Sequence, residues 1–135
     1  MTTPIAELKG MNDDLTAKLK EKGVSNNEQY LELTAAPKDR KALASDLGVK
    51  TRDVLEIANR ADLARVKGVS GIYSDLLEHA GVDTVKELAH RKPENLQAKM
   101  NEVNDEKNLT GRVPPVAEVE KWVAQAKDLP KILTY

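Results

Sequence analysis

The sequence predicts an all-α fold made of two tandem repeats, related by a pseudo-twofold axis and sharing a central helix. A pattern of residues returns 58 positions later with the class of each position kept. The chain has no Phe and one Trp, so its core is built mainly from aliphatic residues, which favours helix packing. No segment alternates apolar and polar residues over a useful length, so no strand is predicted.

The repeated pattern joins a short turn to a leucine-bearing helix that ends at a glycine. Its first copy is Leu8-Lys9-Gly10-Met11, Leu15, Leu19, Gly23 and Val24, and its second is Val66-Lys67-Gly68-Val69, Tyr73, Leu77, Gly81 and Val82. An echo at one fixed period indicates two copies of one supersecondary unit. We therefore expect a single compact domain over residues 1–135, with repeat one at about 4–66, repeat two at about 52–130 and a tail at 131–135.

Capping signals place the helices of the first copy. Pro4 suits the first position of a short helix, and Asn12 is an N-cap followed by two acids in the positive first turn. The segment Ser25–Glu28 has the spacing of a capping box and predicts a third helix. Pro37 starts a fourth helix, and Thr51 caps a fifth.

The fifth helix is predicted to run without a break from Thr51 to Val66, directly into the second turn. Its apolar residues follow helical spacing at Val54, Ile57, Ala58 and Ala61. It is then the last helix of one repeat and the first of the next, so we expect the two copies to form one rigid unit without a flexible linker.

The second copy repeats the same order of elements. A helix lined by Leu76 and Leu77 ends at Gly81, and Thr84 opens the next helix with a capping box. Pro93 begins another helix. The copies then diverge, because residues 104–115 are longer and more polar than their counterpart. Pro115 is predicted to start a final helix that carries the apolar face Val119, Trp122, Val123 and Ala126.

These turns resemble helix-hairpin-helix motifs, since each is followed by a leucine-rich helix and a closing Gly-Val pair. The tract Leu76–Leu88 is also similar to the carboxy-terminal domain of the RNA polymerase alpha subunit. Across nearly its full length, the chain resembles a bacterial family, domain of unknown function 4332, whose members carry tandem units of this type. The resemblance implies a fold of tandem helix-hairpin-helix-like repeats and no established activity.

The motif implies contacts with the phosphate backbone of nucleic acid. Its glycines let the backbone approach a phosphate, and the N-terminus of the following helix favours an anion. The candidate nucleic-acid-binding residues are Arg65, Lys67, Gly68, Ser70 and Gly71 in the second hairpin, and Lys9, Gly10 and Asn12 in the first. The motif's second glycine is replaced by Asn12 and Ser70, with Gly71 following as a possible substitute. Asp13 and Asp14 disfavour an anion at the first hairpin, so the second is the better candidate.

Composition narrows the class of protein. The 21 basic and 22 acidic residues give a net charge of −1, which argues against coating nucleic acid by charge alone. There is no cysteine and no apolar stretch long enough for a membrane helix, so we expect a cytoplasmic protein that does not bind membranes. No phosphate loop or acid–base pair indicates an enzyme, and no cofactor or metal is expected.

Two interpretations stay open for the hairpins, phosphate binding or a purely structural turn between helices. Two functions stay open for the whole chain: a weak, sequence-independent nucleic-acid-binding module, or a protein-interaction (adaptor) module on the same scaffold. A basic face around Lys9, Arg65 and Lys67 would favour nucleic acid. An exposed apolar patch near residues 104–113 would favour a protein partner.

Trp122 is predicted to lie in the core, and His79 is predicted to form an exposed ion pair with Asp75.

Overall fold

The computed structural model describes residues 2–135, and the regular elements of this part of the chain are helical. A 3₁₀ helix, Ile5–Glu7, comes first. The α-helices that follow are α1 (Asp13–Glu21), α2 (Asn27–Thr34), α3 (Pro37–Leu47), α4 (Thr51–Leu63), α5 (Gly71–His79), α6 (Val85–Ala89), α7 (Pro93–Lys107) and α8 (Val116–Asp128). Extended residues pair only at a bridge between Pro4 and Asn26, so the described residues contain no strand, and the all-α prediction is confirmed. None of these helices is long and apolar enough to cross a bilayer.

Residues 58 positions apart adopt matching conformations at the helix ends. Gly23 follows α1 with a φ of +84°, and Gly81 follows α5 with a φ of +96°. Only glycine adopts this left-handed region without strain, and it lets the preceding helix stop abruptly. Asn26 caps α2 and Thr84 caps α6, each by accepting a hydrogen bond from the third amide of its helix. The segment from α1 to α2 therefore has a counterpart from α5 to α6.

The capping box of α2 lies one residue later than the sequence predicted. Asn26, not Ser25, is the N-cap, and its side chain accepts a hydrogen bond of 2.9 Å from the amide of Gln29. Gln29 reaches back and accepts a hydrogen bond of 2.8 Å from the amide of Ser25. The shift has a tertiary cause, because the buried Asn27 is fixed by hydrogen bonds with Thr3 and with the carbonyl of Ala61.

Helix α4 ends at Leu63, three residues before the predicted end at Val66. The amides of Arg65 and Val66 bond to the carbonyls of Asp62 and Leu63, and this three-residue spacing tightens the backbone out of α geometry. The first predicted helix is likewise a 3₁₀ turn, in which Pro4 is the N-cap rather than the first helical residue. The chain therefore enters both hairpins through tight turns instead of through a continuous α-helix.

The core consists of two clusters of buried side chains, one in each half of the chain. The first cluster includes Ile5, Leu19 and Tyr30, and the second includes Leu77 and Trp122. Helix α4 contributes to both, because Ala61 packs in the first cluster while Leu63 packs in the second. This helix therefore lies between the two halves and contacts each of them.

The last residues cross back from the second half to the first. We call residues 129–135 the C-terminal strap. Leu133 is 3% exposed and belongs to the first core cluster. The amide of Thr134 donates to the carbonyl of Ala35 at 2.9 Å, and the buried Arg40 donates to the carbonyl of Thr134 at 2.6 Å. The segment predicted to be a tail is thus part of the packed structure.

Candidate nucleic-acid interface

The two predicted hairpins lie side by side. Residues 6–11 of the first hairpin and residues 70–72 of the second line one open groove of about 410 Å³. A second groove of about 180 Å³ lies between residues 66–70, Ala64 and the N-terminal residues 2–3. Ser70 lines both grooves, so the two turns share one continuous surface. We call this surface the hairpin face.

The backbone of the two turns is nearly identical. Gly10 has a φ of +94° and Gly68 a φ of +95°, so each turn needs a residue that enters the left-handed region. The amide of Met11 donates to the carbonyl of Leu8 at 3.2 Å, and the amide of Val69 donates to that of Val66 at 3.0 Å. The turn therefore requires glycine at one position only.

Asn12 and Ser70 replace the second glycine of the motif and act as helix N-caps. The side-chain oxygen of Asn12 accepts a hydrogen bond from the amide of Leu15 at 2.8 Å, and that of Ser70 accepts one from Tyr73 at 3.5 Å. Both residues have extended backbone, with φ of −139° and −89°, so tolerance of the left-handed region is not what these positions demand. Each cap satisfies the third amide of its helix and leaves the first two without an acceptor among the described residues.

Gly71 has a packing role that the sequence did not reveal. It is buried at the first position of α5, and a methyl group in place of its hydrogen would overlap the carbonyl oxygen of Glu7. The absence of a side chain therefore lets the second hairpin approach the first. This close approach creates the groove that the two turns share.

The charges on the hairpin face are unevenly distributed. Lys9 and Lys67 are both exposed, one at each turn. The first turn is flanked by exposed acids at Glu7, Asp13 and Asp14, whereas residues 66–72 contain no acid and have only one acid, Glu7, across the shared groove. Asp14 also forms an exposed ion pair of 3.2 Å with Lys18, and this pair only partly offsets the negative charge of Asp14 near the first turn. The second turn therefore has the more favourable potential for an anion.

Helix α8 supports the second turn, a feature that the sequence did not predict. The amide of Lys67 donates to the Gln125 side-chain oxygen at 2.9 Å, and the Gln125 amide nitrogen donates to the Lys67 carbonyl at 3.4 Å. The Trp122 indole lies against Gly68, where it would crowd an added methyl group, and its ring centroid is 5.6 Å from that of Tyr73. Trp122 is 3% exposed, which confirms its predicted place in the core. No pattern local to the turn could have indicated these partners.

Arg65 is the one candidate residue that lies apart from the hairpin face. Its guanidinium pairs with Asp62 at 2.8 Å and donates to the carbonyl of Pro130 at 2.7 Å. The side chain is 7% exposed and lines a different cleft, beside the C-terminal strap. The other seven candidate residues lie on the hairpin face or at the helix starts beside it: Lys9, Gly10, Asn12, Lys67, Gly68, Ser70 and Gly71.

The predicted pair of His79 and Asp75 is present and His79 is exposed, but Asp75 is buried and belongs to a larger cluster of charged side chains. Asp75 is 7% exposed, and its nearer partner is Arg60, at 3.1 Å, while His79 lies at 3.6 Å. Arg60 also pairs with Glu78 at 3.2 Å, and burial raises the pKa of the Glu78 carboxyl despite this cation. The cluster joins α4 to α5 at the boundary of the two halves. No group of three potential metal-ligating side chains occurs among residues 2–135.

Comparison with known proteins gives a family and no relative of established activity. No curated protein and no solved structure matches the chain significantly. A family model matches residues 9–129, a segment that begins in the first turn and extends past the end of α8. Because this match covers most of the sequence, the chain belongs to the family described as domain of unknown function (DUF4332).

Proposed function

We propose that this protein is a non-catalytic nucleic-acid-binding module that contacts phosphates through two tandem helix-hairpin-helix-like turns. The observation that carries the proposal is the shared groove, which brings residues 6–11 and 70–72 together on one surface. Two turns of equal geometry can contact successive backbone phosphates without reading the bases. We further propose that the correspondences 58 residues apart reflect a tandem repeat of this motif.

The second turn supplies the main contacts in this proposal. The amides of Gly71 and Ile72 begin α5 and have no acceptor among the described residues. Gly71 is buried against the carbonyl of Glu7, so we assign the phosphate contact to the amide of the exposed Ile72. Lys67 adds a cation at the turn, and Ser70 adds a hydroxyl beside it. Lys9 supplies a second cation across the groove. The contacts are few, so binding is expected to be weak and independent of sequence.

A titration of labelled duplex and single-stranded DNA, followed by fluorescence anisotropy, tests the proposal. Neutralising about two phosphates predicts a slope near −2 in a plot of log affinity against log salt concentration. Affinity should therefore fall about tenfold between about 50 and 200 mM salt. Lys67→Glu should weaken binding and reduce the magnitude of this slope by about 1, because one fewer counterion is released. Lys9→Glu should have a smaller effect, because Asp13 and Asp14 already disfavour an anion at that turn.

Lys38→Glu is a matched control, because it makes the same change of charge at an exposed lysine at the start of α3, outside the hairpin face. Equal losses of affinity in Lys67→Glu and Lys38→Glu would show that net charge, rather than the hairpin face, determines binding. Absence of binding at low salt would contradict the proposal directly.

A protein-interaction module is the second candidate, and Ile72 is the observation that favours it. Its side chain is 48% exposed and lines the groove between the turns, where a partner protein would bury it. The apolar patch considered near residues 104–113 does not support this candidate, since Leu109 and Val113 pack against the second core cluster. Affinity capture from cells separates the two functions: a captured protein that is retained after nuclease treatment and lost in Ile72→Ser would favour the adaptor.

A further inference from the structure

A cleft on the side of the molecule bounded by the C-terminal strap has the features of a small-molecule site. It has a volume of about 260 Å³ and shares no lining residue with the grooves of the hairpin face. Helix α6 forms one wall, and the end of α8 with the strap forms the other. We call it the strap cleft.

The walls of the strap cleft are largely apolar. Their aliphatic side chains are Val85 and Ala89 from α6, Ala126 from α8, and Leu129, Ile132 and Leu133 from the strap. Several of these residues belong to the two core clusters, so the cleft is backed by packed side chains. An apolar ligand body would gain free energy by leaving water for such a wall.

A buried ion pair contributes polar atoms to this apolar lining. The Asp62 carboxylate accepts hydrogen bonds from Arg65 and from the amide of Val85, both at 2.8 Å, which satisfies each of its oxygens. The Arg65 guanidinium has five N–H donors. Among the described residues it forms two hydrogen bonds, one to the Asp62 carboxylate and one to the Pro130 carbonyl. The guanidinium therefore lines the cleft with donors to spare.

The rim of the strap cleft is cationic. Lys86, Lys127 and Lys131 are exposed and line it together with Arg65, so four cationic side chains and one carboxylate side chain, that of Asp62, line the cleft. A protein with a net charge of −1 thus concentrates positive charge around its apolar cleft.

We propose that the strap cleft binds a small aliphatic monocarboxylate, with the chain against the apolar walls and the carboxylate at the lysine rim. Size sets the length of the ligand. A cavity of about 150 Å³ accommodates benzene, so this volume suits about ten non-hydrogen atoms, as in octanoate. The ligand forms few polar contacts with the cleft, so its dissociation constant should be about 1 mM.

Octanoate titrated into the isotopically labelled full chain, well below its aggregation concentration, tests the site by NMR. Saturable shifts should be confined to amides of α6, the end of α8 and the strap. Octan-1-ol, which has the same chain without the charge, should bind at least about fivefold more weakly. No saturation, shifts elsewhere on the surface, or equal affinity for the alcohol would overturn the proposal.

Charge reversal at the rim gives a second, independent test. The double variant Lys127→Glu/Lys131→Glu should weaken octanoate binding by about tenfold or more. The double variant Lys38→Glu/Lys41→Glu makes the same change of net charge at exposed lysines of α3 and should leave affinity within about twofold. Spectra recorded without octanoate verify folding, and each single variant at Lys127 or Lys131 is titrated if the double variant is unfolded. Equal affinity in the rim and control variants would contradict the site.

Discussion

At Gly71 the backbones of the two hairpins meet. The alanine variant Gly71→Ala would place a methyl group on the carbonyl of Glu7, so α5 must shift away from the first turn. We expect a loss of about 1–3 kcal/mol in the free energy of unfolding, the usual cost of overpacking. Gly111→Ala is the matched control, because nothing lies within 4 Å of the added methyl group there. Chemical denaturation measures both, and equal losses would contradict the close approach.

Tyr30 predicts a loss of stability at alkaline pH. Its hydroxyl donates to the carbonyl of Val54 at 2.9 Å, and burial raises the pKa of the phenol, opposed by the Arg40 cation. Below about pH 10 the phenol of Tyr30 is protonated in both the folded and the unfolded protein, so its contribution to stability is fully present. Above about pH 10 the phenol ionises in the unfolded chain but not yet in the folded protein, and the free energy of unfolding falls by up to about 1.4 kcal/mol per pH unit.

Urea denaturation of the wild type and of Tyr30→Phe across this pH range isolates the effect. The variant should be less stable at neutral pH, because the Val54 carbonyl loses its buried donor. Its stability should also decline less steeply above about pH 10. Parallel curves for the two proteins would show that Tyr30 does not account for the alkaline loss.

Sequence reasoning predicted the residues of the candidate site better than their arrangement. It identified both glycine turns, because a Lys-Gly pair between apolar residues is a local signal. It did not predict that the turns share a groove, since a sequence repeat defines the repeated units and not how they are placed relative to each other. It also grouped Arg65 with Lys67, whereas the early end of α4 directs Arg65 to Asp62 and the strap.

The correspondence of α1 with α5 makes a prediction for two helices. Leu19 is 1% exposed and Leu77 is fully buried, and they occupy equivalent positions 58 residues apart. Leu19→Ala and Leu77→Ala should each lower the free energy of unfolding by about 2–5 kcal/mol. Thermal or chemical denaturation measures both losses. A near-neutral result at one position would contradict the equivalence of the two helices.

Helix starts were predictable because caps are local. Asn12, Pro37, Thr84 and Pro93 all lie at or beside the observed starts of their helices. The predicted cap Thr51 is instead the first residue of α4, whose N-cap is Lys50. Another error occurred where distant residues decide the local backbone. The start of α2 depends on the tertiary hydrogen bonds of Asn27, which no local pattern shows.

The stability of the whole molecule depends in part on the C-terminal strap, a segment whose sequence shows no helical or strand periodicity. Leu133 fills the first core cluster, although the rest of that cluster lies in residues 5–64. Leu133→Ala should therefore cost about 2–4 kcal/mol, a loss typical of a core leucine. Lys131→Ala, at an exposed position of the same segment, should change stability by less than about 0.5 kcal/mol. Denaturation curves that show equal, small losses would contradict the packing of the strap.

The position of Leu133 also affects how the protein folds during synthesis. Ile5, Leu19 and Tyr30 leave the ribosome early, but the side chain that completes their cluster follows only after the entire second half. Until then the nascent first half presents an unfilled apolar site to solvent, where it is open to chaperones and to non-native contacts. The contacts of Arg40 and Ala35 with Thr134 span more than ninety residues, which further delays closure. The first half is therefore translated first and completed last.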